Sequence, residues 1–366
     1  MAVMKTPYFT LCLTTAAVAL LTACGGGESG GSAPAAVSFS AGCSDGSARV
    51  SALSRADAQA QCPVAAGSSI RTTAPAASYP AGSEELAAFE LLNAERRGCG
   101  FGVLVQNVRL DAAAQAHADW RLFNNYSGHF EVSGTPGFTG VTPADRIVAA
   151  TYAADGAFAA AEVLSDVAGP GAGNKAGRGA AGVRTLLNAP YHAAAMIDGY
   201  RDVGLAVRSA TDASASAAYG ERTALGINLA YRATEGAQLV EADAVLTYPC
   251  EGSTGLSPAL SNETPNPVPG RDLAASPLGS SVQVMLRPGR VLTLASASMV
   301  NVATGAVVAL RPPVTSATDP YAEFLPHQGY VVADAPLAAH TSYQVNLTGT
   351  NNQKPFSRSF IFTTGL

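Results

Sequence analysis

Histidine is scarce in this sequence, so each histidine can be considered separately as a candidate for chemistry. The chain has five of them, which are His117, His129, His192, His327 and His340. Two of them, His129 in NNYSGHFEVSG and His192 in NAPYH, are candidate site residues together with Glu162 in AAAEVLSD. Two neutral imidazoles and a carboxylate suit zinc with a position left for a water nucleophile. A histidine and a carboxylate can also transfer protons without a metal.

Other catalytic motifs do not occur in the sequence context that they need, and the remaining histidines are interpreted as structural. No G-x-S-x-G nucleophile elbow follows a strand-like run, and no H-E-x-x-H helix occurs, which excludes the ordinary serine hydrolases and the zincins. His117 lies in an apolar helical pattern and is interpreted as a packing or capping residue. His327 and His340 are interpreted as loop residues. Structural roles remain an alternative for His129 and His192, and Glu162 could hold a histidine through a hydrogen bond.

Two helices are predicted ahead of the first candidate histidine. The first lies in SEELAAFELLNAERRGCG, with Ser83 as the N-cap and with Glu84 and Glu85 in the first turn, where the helix dipole favours negative charge. It is expected to end near Gly98. The second lies in LDAAAQAHADWRLFNN, with Asp111 as its cap, and its many alanines suit close packing of the helix.

Two more helices and then a series of strands are predicted. Thr142 caps the helix that begins TPADRIVAA, with Pro143 in the first turn and Asp145 as capping-box partner. A fourth helix covers part of GVRTLLNAP and ends at Pro190. The hydrophobic period then changes from about 3.6 to 2, and DVGLAV, TALGINLAY and AVLTYPC are strand-like. Helices followed by strands predict an α+β fold. Each candidate site residue is expected at the edge of a helix-like or loop segment.

The order of these segments resembles the CAP superfamily, which comprises cysteine-rich secretory proteins, antigen 5 and pathogenesis-related 1 proteins. The segments LLNAERR, LDAAAQAHADW, GHF, AEVLS, APYH and DVGLAV follow one another between about residues 84 and 250. The similarity is greatest to the bacterial secreted branch. The resemblance implies an α-β-α sandwich with a large open cleft, lined by two histidines and one or two acidic residues.

The site residues of this family can be placed on the sequence by the resemblance. His129 matches the first family histidine, and Glu162 matches the glutamate of the G-E-N-[IV] pattern, with Ala161 and Val163 at the neighbouring positions. His192 matches the second histidine. In some family members these residues bind a divalent metal, which makes zinc or another divalent ion a candidate ligand of His129 and His192.

The sequence also departs from the family pattern. Many animal and plant members have a second glutamate shortly before the second histidine, whereas GVRTLLNAPYH contains no carboxylate. This weakens a mechanism that needs two carboxylates. Glu131 and Asp166 are near in sequence, but the pattern does not place them in the cleft. Asn93 matches an asparagine of the first family helix and is expected to support the structure.

The resemblance leaves two functions open, because CAP proteins include toxins, lipid binders and signalling ligands. The first is a protein of the cell envelope whose cleft binds a lipid, a peptide or a glycan. The alternative is a metal-assisted hydrolase acting on peptide or cell-wall substrates, with His129, Glu162 and His192 as its catalytic residues. Nucleic-acid binding is excluded because the net charge is -5 and no basic block occurs.

The N-terminus predicts export and a lipid anchor. Residues 1–23 are interpreted as a lipoprotein signal peptide, since a short apolar run ends in LTAC, which resembles a lipobox with Cys24 as the lipidated residue. An ordinary secretory signal is the alternative. Residues 24–82 are interpreted as a tether and low-complexity segment. The lipid on Cys24 makes a membrane the predicted partner of the anchor. Gly25 after Cys24 favours the outer membrane if the host is Gram-negative.

Four further cysteines predict disulfide bonds in an exported chain. They are Cys43, Cys62, Cys99 and Cys250. Of the three pairings, Cys43 with Cys62 and Cys99 with Cys250 are favoured, and free buried thiols are the alternative.

The rest of the chain divides into three predicted parts. Residues 83–250 form the CAP domain, and the proline-rich residues 251–275 are interpreted as an interdomain linker. Residues 276–366 contain several short apolar runs broken by turn residues, which predicts a small β-sandwich similar to bacterial Ig-like modules. This β-module is expected to act as a spacer or an adhesion unit.

Overall fold

The structure is a computed structural model that describes residues 22–23, 39–42, 48–51, 68–153, 156–210 and 221–366. The predicted anchor residue Cys24 and the predicted pair of Cys43 and Cys62 lie outside the described residues. Within the described residues, no helix is both long enough and apolar enough to span a membrane.

The helices and strands alternate in the N-terminal part and give way to strands in the C-terminal part. The helices are α1 (Glu84–Gly98), α2 (Val108–Phe123), α3 (Pro143–Ala149), α4 (Arg178–Asn188) and α5 (Pro190–Ile197). The first strands are β1 (Thr22–Ala23), β2 (Phe39–Gly42), β3 (Ala48–Ser51), β4 (Ser68–Ser69), β5 (Val105–Gln106), β6 (Phe158–Ala168), β7 (Asp202–Ser209), β8 (Arg222–Arg232) and β9 (Gln238–Leu239). The later strands are β10 (Leu246–Tyr248), β11 (Ser281–Met285), β12 (Leu292–Asn301), β13 (Val307–Val308), β14 (Val314–Thr315), β15 (Gln328–Val332), β16 (Ser342–Asn351) and β17 (Lys354–Thr363).

The N-terminal part is built on a five-stranded sheet with the order β1-β6-β8-β7-β5. Strand β8 lies in the middle and is antiparallel to both β6 and β7. Its Asn228 is paired with Glu162 on one side and with Gly204 on the other. Together with the all-strand C-terminal part, this arrangement confirms the predicted α+β class.

The two faces of this sheet carry side chains of different size, because successive residues of a strand point to opposite faces. On one face, large residues of β7 and β8 such as Leu205 and Ile227 form a core with α1, α4 and α5. On the other face, small residues such as Gly204 and Ala206 receive α2. A Cβ atom on Gly204 would lie 2.0 Å from the carbonyl carbon of Leu110. Helices therefore cover both faces, which is the α-β-α sandwich that the resemblance implies.

Two of the predicted helix starts are confirmed and one is wrong. The Ser83 hydroxyl caps α1, and Thr142 and Asp145 form the predicted capping box of α3. Helix α2, however, begins three residues before the predicted cap Asp111, and its N-cap is Asn107. The Asp111 carboxylate instead accepts hydrogen bonds from the backbone of Leu205 and from other groups, so it ties the helix to the sheet.

The C-terminal part consists of two four-stranded sheets. Their strand orders are β10-β11-β15-β14 and β13-β12-β16-β17. Residues from both sheets, including Val284 and Val345, share one buried cluster. This is the predicted β-sandwich, and it is compatible with an Ig-like module.

The end of the predicted CAP domain and the predicted linker both contact the β-module. Strand β10, expected as the third strand of the CAP domain, pairs with β11 of the β-module. Residues 251–275 have no helix or strand, yet Leu256, Leu260 and Leu273 in them are buried. Leu260 also exchanges two backbone hydrogen bonds with Leu278. These leucines hold the predicted interdomain linker against the β-module.

One disulfide bond links the two parts of the chain. Cys99, which follows α1, is bonded to Cys250, which follows β10, and 151 positions separate them in the sequence. This confirms the second of the two favoured pairings.

Candidate functional site

Five buried polar side chains form a cluster between α2, α3 and β6, which we call the polar cluster. They are His117, His129, Glu131, Arg146 and Glu162, and each is at most 2% exposed. Helix α2 supplies His117 and α3 supplies Arg146. The segment between these helices supplies His129 and Glu131, and β6 supplies Glu162.

Glu162 lies in the middle of a strand, not at the edge of a helix-like or loop segment as expected. Its neighbours Ala161 and Val163 belong to the core on the opposite face of the sheet. Strand alternation therefore turns the Glu162 side chain toward α2 and α3. Its Oε1 lies 2.9 Å from Nδ1 of His129, so two of the three predicted site residues are in direct contact.

Arg146 binds the same carboxylate from the other side. Its Nη2 donates to both oxygens of Glu162, at 2.9 and 2.8 Å. Burial by itself raises the pKa of Glu162, but the charges of Arg146, His117 and His129 lower it to well below its usual range. Glu162 is therefore ionised in the folded protein at neutral pH.

His117 is a member of the polar cluster and not only a packing residue. Its Nδ1 lies 3.0 Å from Oε1 of Glu131, and its Nε2 lies 3.0 Å from the carbonyl oxygen of Gly128. The same Nε2 is 3.8 Å from Oε1 of Glu162. Burial lowers the pKa of the His117 imidazole, against the opposing effect of the Glu162 charge. His117 therefore joins the two carboxylates of the cluster.

Glu131 is held by the segment that follows it. Its Oε2 accepts hydrogen bonds from the backbone of Thr139 at 2.6 Å and of Gly140 at 3.3 Å. Burial raises the pKa of Glu131, but the hydrogen bonds from His117 and Thr139 outweigh this and leave it below the ordinary value. The sequence did not place Glu131 in the site, and the structure adds it.

His192 has a different carboxylate partner from His129. Its Nδ1 lies 3.3 Å from Oε1 of Glu263, which also accepts the backbone N–H groups of Tyr191 at 2.7 Å and of His192 at 3.3 Å. Helix α5, which carries His192, lies against β6, the strand of Glu162. The structure thus pairs His129 with Glu162 and His192 with Glu263, a residue of the predicted linker.

The remaining polar residues singled out from the sequence have structural surroundings. Asn93 binds both the N–H and the carbonyl of Leu104, at 2.7 and 3.0 Å, and so joins α1 to the following segment. Asp166 lies at the far end of β6, where it pairs with Arg121 and Arg222 and accepts from Ser127. His340 is exposed in a turn, while His327 is buried in a turn next to Asp198 at 3.8 Å.

The donors do not fit a divalent metal held by His129 and His192. The two histidines face different carboxylates, and the carboxylate beside His129 is already bound by the Arg146 guanidinium, whose positive charge opposes a second cation. Across residues 68–153, 156–210 and 221–366, no group of three or more histidine, cysteine, aspartate or glutamate side chains could hold a metal ion. We therefore derive no chemistry through a metal.

An exposed apolar strip lies outside the polar cluster. Phe130 and Val132 flank the buried Glu131 in sequence and are 47% and 55% exposed. Val141, whose carbonyl accepts the Glu131 N–H at 3.0 Å, is 45% exposed. Three large apolar side chains thus face solvent on the segment that also positions His129 and Glu131.

Two comparisons with known proteins can now be set beside this geometry. Residues 89–219 match the sequence model of the Cysteine-rich secretory protein family (CAP). A search of curated proteins found no match. The matched range contains α2, the polar cluster, α5 and β7, which are the elements that carried the resemblance. The chain therefore contains a CAP domain within this range.

Proposed function

We propose that this protein is an exported component of the bacterial cell envelope whose CAP domain binds an amphipathic lipid. The observation that carries binding over catalysis is the state of Glu162, which is ionised and bound through both oxygens by Arg146 and His129. A general base works best when its pKa lies near the working pH, and that of Glu162 lies well below it.

The apolar strip selects a lipid among the ligands considered. Phe130, Val132 and Val141 expose apolar side chains to solvent, and the acyl chain of a lipid would cover them. A glycan would leave these side chains without an apolar partner. A peptide would need hydrogen-bond partners along its backbone as well as apolar contacts.

The proposed anchor brings this surface to its ligand. A lipid on Cys24 and a flexible segment after it would hold the domain beside a membrane, in the outer membrane of a Gram-negative host. Export, lipidation and membrane location rest on the LTAC motif and its surroundings.

A vesicle-binding experiment tests the lipid proposal. The full-length chain with Cys24→Ser, which removes the anchor, is mixed with vesicles of phosphatidylethanolamine and phosphatidylglycerol and separated by flotation. We expect part of the protein to float, and we expect the added pair Phe130→Ser and Val132→Ser to abolish flotation. The matched control is Val307→Ser, because Val307 is a more exposed valine, at 79%, in the β-module.

The outcomes separate the two candidate functions. Flotation that is unchanged in the double variant, or absent from the parent chain, contradicts the lipid proposal. Cleavage of peptide or cell-wall fragments by the parent chain, lost on His129→Ala, would instead favour a hydrolase. The anchor has its own test: wild type should be found in the membrane fraction, and Cys24→Ser should release it.

A further inference from the structure

The contact between Glu263 and helix α5 is the feature of the molecule that the proposed function does not use. Glu263 is only 4% exposed and lies 71 positions after His192 in the chain. Its Oε1 accepts from the first backbone N–H groups of α5, those of Tyr191 and His192. These N–H groups have no partner within the helix, so Glu263 caps α5 from a distant segment.

The same oxygen faces the imidazole of His192. Nδ1 of His192 lies 3.3 Å from Oε1 of Glu263, while the neighbouring backbone bond from Tyr191 is shorter, at 2.7 Å. Burial raises the pKa of Glu263 well above its ordinary value. Oε1 already accepts the N–H groups of Tyr191 and His192, so a proton on neutral Glu263 belongs on Oε2 and Oε1 remains an acceptor. The ring nitrogen that faces Oε1 then has to carry the proton to make a hydrogen bond.

The segment that carries Glu263 is held by the β-module. Leu260, three residues earlier, pairs with Leu278 through two backbone hydrogen bonds, at 2.8 and 3.0 Å. Tyr191 packs among Phe324 and Tyr330 of the β-module, with ring centroids 5.3 and 6.2 Å away. The outer side of α5 is thus an interface between the two parts of the protein.

A further contact fixes the start of this interface. The Ser281 N–H donates to Oδ1 of Asn188 at 3.0 Å, and the Ser281 hydroxyl donates to the Asn188 carbonyl at 2.7 Å. Asn188 is the last residue of α4, and Ser281 is the first residue of β11. The β-module therefore contacts both the end of α4 and the beginning of α5, where Glu263 binds.

We propose that Glu263 is the positioning residue of His192, fixing the ring in the tautomer that carries its proton on Nδ1. The acceptor nitrogen of the ring is then Nε2, on the edge away from Glu263. This deepens the proposed function, on which it rests, because it makes the β-module a part of the histidine site and not a spacer. The carboxylate beside His192 comes from residues 251–275, which the β-module holds in place.

Histidine NMR on the full-length Cys24→Ser chain, labelled with ¹⁵N, tests this directly. The side-chain signals of five histidines are few enough to resolve, and His192→Gln identifies those of His192. In the parent chain we expect its proton on Nδ1. Glu263→Gln keeps an oxygen acceptor and should keep this pattern, whereas Glu263→Leu should abolish the Nδ1–H signal. Glu251→Leu is the matched control, since Glu251 is another glutamate of residues 251–275 that accepts a backbone N–H, from Ile361 at 2.9 Å.

Each outcome decides the proposal without a ligand. A proton on Nε2 of His192 in the parent chain overturns it, whether or not the Glu263 variants fold. An unchanged His192 signal in folded Glu263→Leu also overturns it. Because vesicle binding is measured separately, a failed flotation experiment with the expected NMR pattern would reject the lipid proposal and leave Glu263 as the positioning residue.

Discussion

Arg146 and Glu162 form a buried ion pair inside the CAP domain, in which one nitrogen, Nη2 of Arg146, lies 2.9 and 2.8 Å from the two carboxylate oxygens. Arg146 also reaches toward the second carboxylate of the cluster, with its Nε 3.8 Å from Oε1 of Glu131. One guanidinium thus balances two buried carboxylates, with His117 between them. The charges of the polar cluster depend on one another, which makes single substitutions informative.

Removing Arg146 is expected to destabilise the protein strongly. Arg146→Gln would leave Glu162 buried without its cation, and breaking a buried ion pair on one side costs about 3–5 kcal/mol. Urea unfolding followed by circular dichroism measures this change in the free energy of unfolding. Arg109→Gln, at an exposed position of α2, is the control and should change stability by no more than about 0.5 kcal/mol. Equal effects of the two substitutions would show that the ion pair contributes nothing.

The stability of the protein should depend on pH through Glu263. Its pKa is raised in the folded state, mainly by burial, so the unfolded chain loses this proton at lower pH than the folded chain does. The contribution of protonated Glu263 to the free energy of unfolding is complete below about pH 4.5, the ordinary pKa of glutamate. It is lost as the pH rises from there through the pKa of the folded state. The groups that face Glu263 are His192 and Asp319, and the Asp319 charge acts in the same direction as burial.

Glu263→Gln cannot ionise and should avoid this loss. Relative to wild type, its free energy of unfolding should increase by about 1.4 kcal/mol per pH unit above pH 4.5, until the folded wild type also ionises. Glu162 and Glu131 have lowered pKa values, so their contributions to the free energy of unfolding change with pH in the opposite direction. These contributions are the same in wild type and in Glu263→Gln, so they cancel in the difference between the two proteins. Urea unfolding at several pH values measures it, and a constant difference would contradict the raised pKa.

Zinc binding offers a test of the ligand arrangement around His129. Because Arg146 occupies the carboxylate beside this histidine, we expect no stoichiometric zinc in protein purified with zinc supplementation and measured by elemental analysis. His129→Ala and, at an exposed turn, His340→Ala serve as the matched pair. One zinc per chain in wild type, lost only in His129→Ala, would show that the site rearranges to admit a metal.

Local sequence rules predicted the parts of the fold that depend on local contacts. Ser83 and Thr142 cap their helices as expected, because a hydroxyl reaching its own helix N-terminus needs only neighbouring residues. Strand β6 was missed, since its alanine-rich sequence has little strand preference and a glutamate at its centre. Its extended form is imposed by pairing with β8 along its whole length, from Phe158 with Arg232 to Ala168 with Arg222.

The candidate site could be predicted only in part, because some of its residues lie in recognisable local segments and others come together only through long-range contacts. His129 and Glu162 lie in recognisable segments, and the structure brings them together. Arg146 and His117 lie on the apolar faces of a short helix and an alanine-rich helix. That position in the sequence indicates that the two side chains are buried, but it does not indicate which residues they contact. Glu263 gave no signal at all, because its contact with His192 spans 71 positions and is created by the docking of the β-module.

The bond between Cys99 and Cys250 should contribute substantially to stability. It closes a loop across 151 positions, and the chain-entropy estimate for such a loop is about 5 kcal/mol at 25 °C. We expect the double variant Cys99→Ser, Cys250→Ser to unfold at clearly lower urea concentration than wild type. Reductant should lower the midpoint of wild type by more than that of the double variant. If both proteins respond equally to reductant, another cysteine pair is responsible.

The close approach of α2 to the sheet should make Gly204 intolerant of any side chain. A Cβ at this position would lie 2.0 Å from the carbonyl carbon of Leu110 and 2.2 Å from the backbone nitrogen of Asp111, and neither backbone atom can move without displacing the helix. Because α2 carries His117, displacement of the helix would also open the polar cluster. Gly204→Ala should therefore cost about 1–3 kcal/mol or more.

Gly98→Ala is the matched control for this last prediction. Gly98 ends α1, and a Cβ there would meet no atom within 4 Å, so the substitution should be neutral or slightly stabilising. Urea unfolding compares the two variants, and the ¹⁵N signals of His117 report on the cluster. A Gly204→Ala protein as stable as Gly98→Ala, with unchanged His117 signals, would show that α2 does not need the small-residue face of the sheet to hold its place.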